Sequence, residues 1–303
     1  MFQTYVGMLI WPMIAMGWVI NLMQRGTASL ERIREMLDMA PSIAAPEQPR
    51  PVPETLAGEI EFDAVELVYP AGTALQGVSF RVAAGETVAI VGHTGSGKTS
   101  LTQMVPRLLD PTKGAVRVDG VDVREYDPAE LRRQISVVPQ ETFLFSMTLR
   151  ENIALGRPAA SAEELARAVE VAGLTGDVAG FPGGLETMIG ERGITLSGGQ
   201  RQRAAIARAV LRDPRILILD DSLSSVDTLT EARILAELGA VMKGRTTLLI
   251  SHRVSTIRYA DRIVVLEHGR IVEMGTAEEL LARQGYYADL VRKQQLEEEI
   301  EAL

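Results

Sequence analysis

The sequence predicts an α/β domain preceded by one membrane-type helix, and three observations carry that reading. An uncharged apolar run, YVGMLIWPMIAMGWVINLM, occupies Tyr5–Met23. A proline-rich stretch follows it. Beyond that stretch, short β-rich runs alternate with helical ones, the pattern of a sheet covered by helices.

The elements follow in order. The first charged residue is Arg25, and the run before it is about long enough to cross a bilayer as a helix. Pro12 is expected to kink that helix, which membrane helices tolerate. A signal peptide fits less well, because no basic stretch precedes the run and no cleavage site follows it. Arg25, Arg32 and Arg34 come next, and by the positive-inside tendency they place the downstream chain in the cytoplasm. Residues 24–39 read as an amphipathic helix, with Leu30, Ile33 and Leu37 at helical spacing. Five prolines between Pro41 and Pro53 make residues 41–56 a linker.

Residues 57–290 form the α/β domain. Its strand candidates are EIEFDAVELVY, GVSFRV, TVAIVG, ISVVP, RILILDD, TTLLIS and RIVVLEHG. Several are continuously apolar, as buried parallel strands are. Residues 291–303 close the chain as a solvated acidic helical tail, with Glu297, Glu298, Glu299 and Glu301 crowded together. The formal net charge of −9 argues against nucleic acid as a partner, since a phosphate backbone needs a basic surface. The absence of cysteine excludes disulfides, thiolate metal sites and cysteine nucleophiles.

Gly92-His93-Thr94-Gly95-Ser96-Gly97-Lys98-Thr99 fits the phosphate-binding loop G-x-x-x-x-G-K-[ST]. It follows the strand Thr87–Val91 and opens a helical run expected over Leu101–Leu109. The glycines let backbone N–H groups turn toward phosphate without a Cβ in the way. Lys98 is placed to reach the β- and γ-phosphates, and the Thr99 hydroxyl to bind Mg²⁺; Ser100 follows at the helix start. A second strand, Arg215–Asp221, ends in two carboxylates. Asp220 fits the acid that supports Mg²⁺, and Asp221 stands where a general base for water would stand.

Between these elements lies Leu196-Ser197-Gly198-Gly199-Gln200, the LSGGQ signature, and here the sequence resembles the ATP-binding cassette (ABC) family. The resemblance implies a P-loop ATPase domain with a mixed-sheet core and a helical subdomain, binding ATP and Mg²⁺. It also implies a head-to-tail dimer, each ATP held between one subunit's P-loop and the partner's Ser197, Gly198, Gly199 and Gln200. Tyr69 resembles the aromatic that stacks on adenine. Gln140 is similar to the glutamine that contacts Mg²⁺ and the attacking water, and His252 to the histidine that contacts the γ-phosphate. Ser224-Ser225-Val226-Asp227 matches the loop that crosses to the opposite site.

Gly190-Glu191-Arg192-Gly193 resembles an exporter-specific loop that touches the coupling helices of the transmembrane domain. Residues 1–40 look like the end of the last membrane helix of a multidrug-type half-transporter with its cytoplasmic extension. The resemblance therefore implies an exporter motor subunit at the cell membrane, paired with a second ABC half-transporter. Such halves carry six membrane helices and this chain has room for one, so a fragment of a longer protein is expected, or helices supplied by another polypeptide. A soluble cassette ATPase is the alternative that the membrane-like N-terminus speaks against.

One catalytic position departs from the family: Asp221 stands where glutamate is usual. Aspartate is shorter by one methylene, about 1.5 Å. A misplacement of about 1 Å can cost on the order of 100-fold in rate. This predicts tight binding with slow hydrolysis, and it favours a heterodimer with one degenerate site over a homodimer. A regulatory ATP-binding module is the limiting form of the same reading.

Overall fold

The computed structural model describes residues 2–190 and 195–301, and two units divide at Ala44/Ala45. The first unit contains a single helix, α1 (Phe2–Leu37), so the apolar run and the amphipathic run are continuous. Gly26 does not interrupt it, and the Thr27 hydroxyl donates back to the Met23 carbonyl at 2.9 Å across the junction. Its apolar part has a mean hydropathy of 1.7, and none of its side chains is buried. At 1.5 Å per residue the helix is about 54 Å long, well beyond the hydrocarbon thickness of a bilayer.

The second unit is built on two sheets. The smaller one is antiparallel, in the order β2 (Gly72–Val82), β1 (Ile60–Tyr69), β4 (Lys113–Val118), β5 (Val121–Asp122). The larger has the order β10 (Arg270–Gly275), β9 (Arg262–Glu267), β3 (Thr87–Val91), β8 (Thr246–Ile250), β7 (Ile216–Asp220), β6 (Ile135–Val138). Its strands are parallel except β10. Every residue of β3, β7 and β8 is buried, which explains their unbroken apolar sequences.

Alternation along these strands feeds separate cores. Val88, Ile90, Ile218 and Leu248 face the small sheet. Leu217, Leu219 and Leu249 pack under a helical region. That region holds α4 (Leu149–Ala154), α5 (Ala162–Val171), α6 (Thr175–Gly180) and α7 (Gly198–Leu211), followed after β7 by α8 (Thr228–Met242). Ala89 and Val91 face α9 (Val254–Ile257), α10 (Ala277–Arg283) and α11 (Tyr286–Glu301). Two short helices, α2 (Lys98–Gln103) and α3 (Pro128–Arg133), complete the unit.

Two expectations change. The helix after the P-loop ends at Gln103 rather than at Leu109. Pro106 brings no N–H, and Arg107 turns left-handed at φ +51°, so the chain leaves the helix there. The acidic tail is not solvated from residue 291 onward: Val291 packs on the core and Gln294 is hydrogen-bonded to the loop after β8. Tyr69 closes β1, the strand read from EIEFDAVELVY. Strands β4, β5 and β10 had no counterpart among the sequence candidates.

Candidate nucleotide-binding site

Sheet order explains why distant motifs meet. In a parallel sheet, ligands bind beyond the carboxyl ends of the strands. Here β3, β8, β7 and β6 are consecutive neighbours. Their ends deliver, side by side, the P-loop, His252, Asp220 with Asp221, and Gln140. A pocket of about 340 Å³ is lined by Tyr69, Thr94, Gly95, Gly97, Lys98, Thr99, Ser100, Gln140, Asp220, Asp221 and His252, with Ala74 and Ile250.

The P-loop backbone is one that only glycine permits at two points. Gly92 has φ +148°, and a Cβ there would stand 2.0 Å from the Leu266 carbonyl. Gly97 has φ +101°, and a Cβ would stand 2.7 Å from a Leu75 methyl and 2.8 Å from the Ala74 carbonyl. Lys98 begins α2 and is buried. Its Nζ donates to the carbonyls of Gly92 at 2.8 Å and His93 at 2.9 Å, bracing the loop from within. Burial pushes the Lys98 pKa below the ordinary lysine value, opposed by the charges of Asp221 and Asp220.

The Ser96 hydroxyl is buried and has no hydrogen-bond partner. An orphaned polar atom inside a glycine cradle is costly unless something completes it, and a phosphate oxygen would do so. The chemistry of the donor set also fits Mg²⁺. Asp220 is buried, and that burial pushes its carboxyl above the usual range, opposed by the Thr99 hydroxyl and reinforced by Asp221. Thr99, Asp220 and Gln140 supply oxygen ligands of the kind Mg²⁺ prefers, too few for a full shell, as expected where phosphate and water complete it.

Asp221 sits at φ +43°, held by its N–H donating to the Ile250 carbonyl at 2.9 Å. Its Oδ2 lies 3.5 Å from His252 Nε2. The two groups assigned to water and γ-phosphate therefore face each other across the pocket mouth. Gln140 is exposed. Tyr69 is half-exposed, its hydroxyl 3.3 Å from Ser100 Oγ, with its ring available at the pocket edge.

The signature is elsewhere. Ser197, Gly198, Gly199 and Gln200 do not line this pocket. Ser197 instead caps α7 through a reciprocal box with Gln200: Ser197 Oγ accepts the Gln200 N–H at 3.2 Å, and Gln200 Oε1 accepts the Ser197 N–H at 2.9 Å. Residues Glu191, Arg192 and Gly193 of the exporter-type loop lie outside the described residues.

Comparisons with known proteins identify the family. The family profile described as ABC transporter matches residues 75–224. A probable multidrug resistance ABC transporter ATP-binding/permease protein of Bacillus subtilis, YheI, is 45% identical over 97% of this chain and 50% of its own length. An ATP-dependent lipid A-core flippase of Albidiferax ferrireducens is 46% identical over 97% of this chain and 50% of its own length. The solved structure of a bacterial Atm1-family ABC exporter with ATP bound superposes with a TM-score of 0.83 at 38% identity, covering 89% of this chain and 47% of that one. The chain belongs to the ABC transporter family. It spans about half the length of the curated relatives it matches.

Sequence reasoning missed three residues of this ABC domain. Gln202 is buried in α7 and bridges to the loop after β7, donating to Ser224 Oγ at 3.0 Å and accepting the Ser225 N–H at 2.9 Å. Glu231 is buried in α8 and accepts from Arg253 as well as from the hydroxyls of Ser255 at 3.1 Å and Thr256 at 2.7 Å. Gln294 binds the loop that carries His252. A glutamine in QRQR and another in KQQ look like surface polars, and only tertiary packing sets them apart.

Proposed function

We propose that this chain is the Mg·ATP-binding and ATP-hydrolysing end of an ABC exporter half, lodged in a membrane with the ATPase domain on the cytoplasmic side. The observation that carries the reading is the row of strand ends: β3, β8, β7 and β6 gather Lys98, Thr99, His252, Asp220, Asp221 and Gln140 around one pocket. The exporter assignment is supported by the 36-residue helix with no buried side chain and by the relatives, a multidrug resistance transporter and a lipid A-core flippase, which favour multidrug or lipid-like substrates.

The mechanism is phosphoryl transfer to water. Lys98 and the P-loop N–H groups would hold the β- and γ-phosphates, and the Thr99 hydroxyl with Asp220 would hold Mg²⁺. When bound, the metal supplies positive charge against the phosphate oxygens. Gln140 orients water, Asp221 accepts its proton, and His252 contacts the γ-phosphate. Ser197–Gln200, outside the pocket, serve the site of a partner half-transporter, so the working unit is a dimer. The coupling helices of the transmembrane domain are the further partner.

Asp221 carries the second reading within this function. Its short carboxylate, already directed at His252, makes this the slower site of a heterodimer, and in the limit a regulatory one. The experiment is Mg·ATP turnover by the full chain in detergent against its Asp221→Glu variant. We expect a gain on the order of 100-fold from restoring the missing methylene. Equal rates in an active wild type would remove the degenerate-site reading and favour a homodimer.

A further inference from the structure

Helix α11 carries no motif, yet it grips both loops that flank the γ-phosphate end of the pocket. The Gln294 amide makes two bonds to the loop after β8: Nε2 donates to the His252 carbonyl at 2.6 Å, and Oε1 accepts the Val254 N–H at 2.7 Å. One side chain thus clamps the peptide groups on either side of Arg253. At the other end of α11, the Tyr286 ring meets the His93 ring edge-on at 4.9 Å between centroids. Tyr287 is buried against the core beneath the P-loop strand, which fixes the helix to the sheet.

The His252 ring has a charged neighbour, the Asp221 carboxylate at 3.5 Å. The His252 side chain is 45% exposed. A half-exposed ring at the end of a strand takes its direction from its own backbone, and the local bond from Arg253 N–H to Ser251 Oγ at 3.0 Å leaves the His252 carbonyl to Gln294. Positioning to within about 0.5 Å is what such a contact requires.

We propose that Gln294 is a positioning residue for ATP hydrolysis: through its two bonds it sets the orientation of His252 toward the γ-phosphate and ties the C-terminal helix to the catalytic state of the pocket. The proposal rests on the ATPase reading above. It gives the acidic C-terminal segment a role at the site, transmitted through backbone rather than through contact with nucleotide.

The test uses the full chain in detergent, in the Asp221→Glu background so that turnover is measurable. Gln294→Met keeps the length and helix propensity of the side chain while removing both hydrogen bonds. The expected result is a kcat lower by on the order of tenfold, with KM for Mg·ATP within about twofold. Amide hydrogen exchange in His252–Ile257 speeds up, while exchange in Gly92–Thr99 is unchanged. Wild-type kcat with wild-type exchange overturns the proposal. So does a parallel loss of kcat, affinity and melting temperature, which marks a helix anchor only. If the Asp221→Glu parent neither binds nor turns over ATP, the ATPase reading is what fails. Exchange in His252–Ile257 then decides the clamp by itself, and unchanged protection overturns it.

Discussion

Two glycine-rich turns in this chain each open a helix, and they are finished differently. At the P-loop, the residue before α2 is Gly97 in a left-handed conformation with no side-chain cap, and the Ser96 hydroxyl beside it is buried without a partner. At the signature, Ser197 and Gln200 close a complete capping box on α7. The first helix start is left open for a ligand. The second is satisfied by its own chain. A turn that must fold before any nucleotide or partner arrives has reason to cap itself. A turn braced by a buried lysine and a strand can stay open. The reading of LSGGQ as a helix cap and its reading as an anion contact are therefore compatible.

The sharpest way to break this contrast is to put the same methyl group in both turns. Gly97→Ala places a Cβ 2.7 Å from Leu75 and 2.8 Å from the Ala74 carbonyl at φ +101°, where neither the backbone nor the neighbour can give way. We expect nucleotide affinity to fall by on the order of 100-fold in a fluorescent-ATP titration, from about 1–3 kcal/mol of strain placed directly on the cradle. Gly198→Ala meets only Ser225 side-chain atoms at 3.4 and 3.5 Å, an ordinary contact. Its affinity and melting temperature should match wild type. Equal losses from the two would mean that the signature is as strained as the P-loop, and the contrast fails.

A smaller effect is expected where the signature helix is tied to the acidic strand. Gln202→Ala leaves the Ser225 N–H without its acceptor and opens a gap beside Ser224. Loss of such a buried pair costs about 1–3 kcal/mol, readable as a lower urea midpoint with unchanged slope. No change in midpoint would show that the loop after β7 is held without α7, and that the two regions are mechanically independent.

Legibility in the sequence followed the same division. The P-loop, Asp220 and Asp221 were legible as motifs at the ends of short apolar strands, and Gln140 and His252 only through the resemblance to the ABC family. Strand β10 was not legible: its exposed residues alternate with half-buried ones along RIVEMG on a sheet edge, a weak signal. The helix break after Gln103 had a sequence signal in Pro106 that went unused, while the left-handed turn at Arg107 has none. Gln202, Glu231 and Gln294 were hidden for a different reason. Each is a polar residue on a helix, where the default is a solvated face, and only the packing of a distant loop gives its side chain partners.

The least disruptive change tests the cap itself. Ser197→Ala removes the acceptor for the Gln200 N–H and leaves Gln200 Oε1 with the Ser197 N–H alone. The expected loss is about 1 kcal/mol of stability, the usual worth of an N-cap serine. Nucleotide affinity of the isolated chain should stay at wild type, because Ser197 does not line its pocket. If Ser197 serves the partner's nucleotide in a dimer, as proposed above, turnover at the partner's site should fall more than one cap's worth of stability explains. A loss confined to stability, with dimer turnover intact, would mean that Ser197 is a cap and nothing more. The self-capped turn would then contribute to the partner's ATP only through the N–H groups of its glycines.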